Sequence, residues 1–368
     1  MHCPLRPLPL SCQTRARLAS EENGVSRRSS LARRASGVGS TEVFRFILVV
    51  VGLLAGAVPQ NAWAQIKETA ADTVVRYGPP ESSRYRVGVS IKSRKGATRN
   101  ILAMVAVPFT CAEQDVEIVE EDVTTQVDQL RYRILDGGAR QMLVSIGYLP
   151  AGEEAHALVT FEVRTRPILP PEDTSGLHIP IKPDRQLKRF LGRSPYIETN
   201  HSKIKKALRE IFATFDESAG DLPQTDWQRV EAIYDYVEDS IEYLEGPDKS
   251  ALKTLQDGQG DCQAISALFV ALCRTGKIPA RIVWVHEHNY PEFCLEDADG
   301  RPHWFPCESS GTRAFGEMPL VRTILQKGDN FRVPERPRER LRYASDFLIG
   351  TPTPGSSKPR IRYIREQL

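Results

Sequence analysis

Between residues 69 and 166 apolar and polar side chains alternate in short runs. Tyr85–Ile91, Ile101–Val107, Gln141–Ile146 and His156–Val163 each place every second residue on one face, and Asp136-Gly137-Gly138 and Pro150-Ala151-Gly152 supply turns between runs. Period-two runs at this spacing predict an antiparallel β-sandwich. The stretch Arg166-Pro167-Ile168-Leu169-Pro170-Pro171 reads as an extended linker. The period then changes. Ile204, Ala207, Leu208, Ile211 and Phe212 recur at helical spacing, and Thr225-Asp226 opens a second run with Val230, Ile233, Tyr234, Val237 and Ile241 on one face. A third helix is predicted from Cys262 to Thr275, stopped by Gly276 with Pro279 beyond it. Ala280–Val285, Tyr290–Leu295 and His303–Cys307 read as strands, the last two joined by a hairpin turn at Asp297-Ala298-Asp299-Gly300. Helices followed by strands indicate an α+β fold.

The chain therefore divides into a leader (1–64), a β-rich domain (65–166), a linker (167–194), a helix-then-strand domain (195–333) and a tail (334–368). The tail has many Pro and Arg and little apolar content, and is expected to be loosely attached. In the leader, Phe46–Val58 is apolar, preceded by Arg45 and followed by Pro59 and the small-x-small site Ala62-Trp63-Ala64. That run is too short to span a bilayer comfortably and has the layout of a secretory signal. Cleavage near Ala64 and export to the periplasm or medium are expected, with no stable membrane span in the mature chain; an uncleaved anchor is the alternative. Ser26-Arg27-Arg28-Ser29-Ser30-Leu31 resembles a twin-arginine signal, set unusually far ahead of the apolar run.

A hydrophobic share of 40% and a charged share of 26% are those of an ordinary globular protein. The net charge of +2 hides an uneven distribution: the leader has 8 Arg against 3 Glu, and the remainder 41 basic against 44 acidic residues. A near-neutral body gives no electrostatic case for a nucleic-acid partner. Of 7 cysteines, Cys3 and Cys12 lie in the leader, which leaves Cys111, Cys262, Cys273, Cys294 and Cys307. An odd number in an exported chain leaves at least one thiol unpaired.

Cys262 is the candidate for chemistry. It follows Asp257-Gly258-Gln259-Gly260-Asp261 and opens the third helix. There unpaired backbone N–H groups favour a thiolate and can also hold an oxyanion. The glycines of the loop leave room for a substrate backbone. His288 stands just before one strand of the hairpin and Glu308 just past the other, about equally far from a turn centred near Ala298. Antiparallel pairing then brings them side by side, and a carboxylate beside an imidazole fixes its tautomer and stabilises its charged form. A metal site from His286, His288, Cys294 and Cys307 is disfavoured, because the close Cys spacing of zinc sites is missing. Symmetric pairing about Ala298 would set Cys294 opposite position 302, which argues against a Cys294–Cys307 disulfide.

The run Gly260-Asp261-Cys262 through Leu268-Phe269-Val270-Ala271-Leu272-Cys273-Arg274-Thr275-Gly276-Lys277-Ile278-Pro279-Ala280-Arg281, with His288-Asn289-Tyr290-Pro291-Glu292 and Trp304-Phe305-Pro306-Cys307-Glu308, resembles the transglutaminase-like superfamily of bacterial exported type. The resemblance covers about 195–312. It implies a papain-like core of helices on an antiparallel sheet, preceded here by the sandwich-like domain. It also implies catalytic Cys262, His288 and Glu308, with Glu308 replacing the family's usual Asp and Lys277 replacing a second glycine, a surface change of little expected consequence. The implied activity is acyl transfer or hydrolysis at carboxamide or peptide bonds through a thioester. The substrate would be a protein or peptide, and no cofactor is expected. A cysteine protease and a non-catalytic binding module are the alternatives, and the oligomeric state is left open.

Overall fold

The computed structural model describes residues 74–135, 138–220 and 223–368. The leader with its apolar run, its Ala62-Trp63-Ala64 site and its two cysteines lies outside the described residues. The first half contributes β1 (Arg76–Tyr77), β2 (Glu81–Lys92), β3 (Thr98–Val107), β4 (Gln114–Val123), β5 (Gln129–Leu135), β6 (Ala139–Leu149), β7 (Glu154–Thr165) and β8 (Ile168–Leu169). Then come α1 (Arg185–Lys188), α2 (Ser202–Ala219), α3 (Asp226–Ser240), β9 (Glu242–Tyr243), α4 (Ala251–Asp257), β10 (Gln259–Gly260) and α5 (Cys262–Thr275). The chain continues through β11 (Ala280–Val285), β12 (His288–Glu296), β13 (Pro302–Glu308), β14 (Ala314–Phe315), β15 (Ile324–Lys327), β16 (Phe347–Pro352) and β17 (Arg360–Gln367).

The fold is mixed α and β with antiparallel sheets. β17-β2-β7-β4 form one sheet. The larger sheet runs β14-β13-β12-β11-β15-β6-β3-β16, with β5 added to β6. Tyr85, Val87, Val89 and Ile91 alternate along β2 and share a core with Ile101, Ala103 and Val105 of β3 and Met142, Val144 and Ile146 of β6. The period-two runs thus mark the facing sides of two packed sheets. The larger sheet does not end with the first half, since β15 pairs with β6 through Gln326 and Ala139.

The expectation of a loosely attached tail is corrected. β16 pairs with β3, and β17 pairs with β2 from Arg360 opposite Lys92 to Gln367 opposite Tyr85. The reason lies in Arg360-Ile361-Arg362-Tyr363, where apolar residues alternate with arginines. Period-two alternation carries the strand signal whatever the overall composition.

In the second half, α5 is buried from Ala264 to Arg274 against the sheet and the helices around it. Leu268, Phe269 and Leu272 are fully buried there, each contributing roughly 1.5–3 kcal/mol relative to exposure. α3 starts at a capping box between Thr225 and Gln228. Its Trp227 packs edge-on against Phe293, Phe305 and Phe315 at 5.4, 5.0 and 5.0 Å, locking the helix to the hairpin. α5 ends at Thr275 with Gly276 as its C-cap, as the sequence indicates, but the left-handed residue is the one after it. Ile278 N–H donates to Cys273 O at 2.9 Å and Lys277 N–H to Arg274 O at 3.2 Å, and the left-handed residue is Lys277, at φ 66°. This is a Schellman turn with lysine where glycine is favoured, so Lys277 has a backbone consequence as well as a surface one.

Candidate active site

Cys262 is the first residue of α5, behind the N-cap Asp261, whose carboxylate accepts the Ala264 N–H at 2.8 Å. The glycines before it serve local packing. A Cβ on Gly260 would stand 2.7 Å from Ala264 Cβ, and Gly258 caps α4 at φ 65°. Cys262 is half-buried, whereas Cys273, Cys294 and Cys307 are buried. Burial pushes the Cys111 and Cys294 thiols up to about 12, and those of Cys273 and Cys307 well up.

The hairpin brings His288 and Glu308 together, in a register other than the symmetric one. Cys294 faces Trp304, Leu295 faces His303 and Glu296 faces Pro302. The shift arises in the turn, where Asp297 Oδ1 accepts the Asp299 and Arg301 N–H groups at 2.9 Å each and Asp297 N–H bonds Arg301 O at 3.0 Å. The loop is therefore centred on Asp299. His288 and Glu308 become offset neighbours on one face, within reach of long side chains. Cys294 and Cys307 are not opposed, as Cys307 pairs with Phe315.

His288 Nε2 lies 3.1 and 3.0 Å from the two oxygens of Glu308. Cys262 lies near enough to the ring to interact with it. Burial opposes a charge on this ring, but the hydrogen bonds to Cys262 and Glu308 and their negative charges outweigh it and lift His288 to about 9. Glu308 is 5% exposed. Burial pushes its carboxyl up, while the bond and charge of His288 and the Ser310 N–H at 3.1 Å bring the balance below the usual carboxylate range. Tyr234 fixes the same residue from behind, donating to Glu308 O at 2.6 Å and accepting the Ala314 N–H at 3.2 Å.

One neighbour of the thiol had no sequence signal. Asn289 Nδ2 donates to Cys262 Sγ at 3.3 Å, and its Oδ1 is buried without a partner among the described residues. The other carboxylates near His288 in sequence are placed differently from Glu308. Glu292 is held by Arg281 at 2.6 Å and Lys327 at 2.8 Å, and Glu287 is exposed in a left-handed turn at φ 54°. His286 instead takes the Tyr85 hydroxyl at Nδ1, 2.9 Å away, so the two histidines have different partners. A pocket of about 380 Å³ opens beside the thiol, lined by Cys262, Gln263, Trp284, His288 and Asn289 and by Tyr343 of the tail.

A half-buried cysteine at a helix start, an imidazole bound to a buried carboxylate and an adjoining pocket together hold the groups that thiol chemistry on a carbonyl requires. Residues 214–317, which hold all three side chains, match the model described as the transglutaminase-like superfamily. This segment is similar to that superfamily. The transglutaminase-like match begins within α2 and ends just past β14. Among solved structures, a Cytophaga hutchinsonii protein described as a "putative cysteine protease" is 17% identical with a TM-score of 0.52, covering 80% of this chain and 93% of its own. A Parabacteroides distasonis protein described as a "putative protease" is 14% identical with a TM-score of 0.25, covering 64% of this chain and 48% of its own. The first likeness shows the fold; the second is too low to add to it. No curated protein matches the chain significantly.

Proposed function

We propose that this chain is a cysteine-dependent acyl-transfer enzyme acting on carboxamide or peptide carbonyls. Cys262 is the nucleophile, His288 the acid/base and Glu308 the orienting carboxylate. The observation that carries the reading is the His288 ring, bound to both oxygens of buried Glu308 and lining one pocket with the thiol at the start of α5. The Cys262 sulfur attacks the carbonyl carbon, a C–S bond forms, and the carbonyl electron pair moves to oxygen. Collapse breaks the C–N bond, and the departing nitrogen takes the proton held by His288, leaving a thioester. Water or an amine then releases the acyl group.

The likeness to the Cytophaga hutchinsonii protein, described as a cysteine protease, favours water as the second nucleophile. The test is incubation with unfolded casein. Ammonia release reports attack on side-chain carboxamides, and new amino termini report peptide hydrolysis. One of these products is expected from the wild type and none from Cys262→Ala. No product from the wild type, the behaviour of a binding module, contradicts the proposal, as does a product that survives Cys262→Ala. The same reading includes export with cleavage near Ala64. N-terminal sequencing of the exported chain checks it, and retention of residues 46–58 contradicts it.

A further inference from the structure

Arg342 lies in the tail between β15 and β16, yet it is only 5% exposed. Its guanidinium sits 4.7 Å from the Tyr196 ring centre and 5.6 Å from that of Trp284. Nη1 donates to Gln263 Oε1 at 3.1 Å and Nη2 to Gln263 O at 2.9 Å. The backbone carrying Arg342 is itself held. Buried Gln326 accepts the Ala344 N–H at 2.6 Å and donates to Arg342 O at 3.4 Å and Gly328 O at 3.0 Å.

A guanidinium has donors and no acceptor, so the end of the Gln263 amide that faces it is the oxygen. Gln263 Nε2, with two N–H groups, is turned the other way and has no partner among the described residues. Gln263 follows Cys262 directly and lines the same pocket as Cys262 and His288. A donor fixed before the substrate arrives is what a developing oxyanion needs.

We propose that Gln263 Nε2 donates to the acyl oxygen under attack by Cys262, and that Arg342 is the positioning residue that fixes the Gln263 amide for this. The inference rests on the acyl-transfer reading above and names the group that stabilises its tetrahedral intermediate. It makes the tail part of the active site.

Two reagents separate this role from any effect on the thiol. With p-nitrophenyl acetate, the sulfur adds to the ester carbon, the carbonyl electron pair moves to oxygen, and collapse expels p-nitrophenolate to leave acetyl-Cys262. With iodoacetamide, the sulfur displaces iodide from carbon and no oxyanion forms. Gln263→Ala should slow acylation of Cys262 by roughly 100- to 1,000-fold, while alkylation stays within about 2-fold, the spread expected when the thiol's own environment is unchanged. Arg342→Met should lower the acylation-to-alkylation ratio in the same direction, and Arg342→Lys, which keeps a donor, should restore part of it. An unchanged ratio in Gln263→Ala overturns the inference. So does a parallel fall in both rates, because the effect then lies on the sulfur. A ratio that falls in Gln263→Ala but not in Arg342→Met overturns the positioning role of Arg342. A wild type that reacts with neither reagent at Cys262 sinks the acyl-transfer reading itself, and the inference with it.

Discussion

At the scale of single residues, the decisive arrangement is an imidazole kept charged inside the protein. Burial alone would discharge His288, and the two Glu308 oxygens with the Cys262 sulfur reverse that and lift it to about 9. In the proposed mechanism the departing nitrogen needs the proton that His288 carries, so turnover should fall as the pH rises through about 9. Glu308→Gln keeps a hydrogen-bonding group but removes the negative charge that favours the imidazolium. The alkaline limb of its kcat/KM profile should move down by about one pH unit or more. A limb that stays in place would mean that Glu308 does not set the charge of His288. Glu308→Asp separates reach from charge: Tyr234 holds the backbone carbonyl of this residue and the Ser310 N–H its carboxylate, where the longer side chain meets the ring. The shorter acid should therefore turn over more slowly than the wild type.

At the scale of elements, α5 places the proposed nucleophile, and both of its ends are informative. Its start was legible in the sequence, because Asp261-Cys262 before an apolar helical face is a strong N-terminal signal. Its end was legible as a stop, but the left-handed position falls one residue later than Gly276. Lys277→Gly relieves that conformation and should stabilise the fold by about 1 kcal/mol, read as a higher denaturant midpoint at unchanged slope. A lower midpoint would show that the lysine side chain contributes more than its backbone costs. The hairpin was legible as a pair of strands but not in register, because the Asp297 carboxylate, rather than symmetry about Ala298, sets the loop. β16 and β17 lie in a segment whose proline and arginine content masks the short apolar alternation that forms them. Asn289 and Arg342 reach Cys262 and Gln263 from positions that carry no motif, one as the neighbour of His288 and the other from the tail.

At the scale of the whole molecule, one antiparallel sheet runs from the hairpin under the site into the β-rich half, and the tail pairs with both sheets of that half. A buried cluster ties the regions together. Lys327 of β15 meets Glu113, just ahead of β4, and Glu292 of β12, which also takes Arg281. Burial opposes the charge on Lys327, and the two carboxylates hold its pKa raised. Lys327→Met would leave Glu113 buried without its cation and should cost about 3–5 kcal/mol, read by chemical denaturation; a loss under about 1 kcal/mol would show that the cluster relaxes or admits water. The same packing sets which thiols can react. Four of the five described cysteines have pKa values pushed up by burial, while Cys262 lines the pocket beside His288. The most direct measurement is therefore brief alkylation of the folded protein with iodoacetamide at neutral pH, followed by peptide mass mapping of every cysteine. The account predicts label on Cys262 ahead of Cys111, Cys273, Cys294 and Cys307, at a rate that drops at least about tenfold in His288→Ala. Equal or faster labelling of Cys111 or Cys294, or a Cys262 rate indifferent to His288, would contradict it.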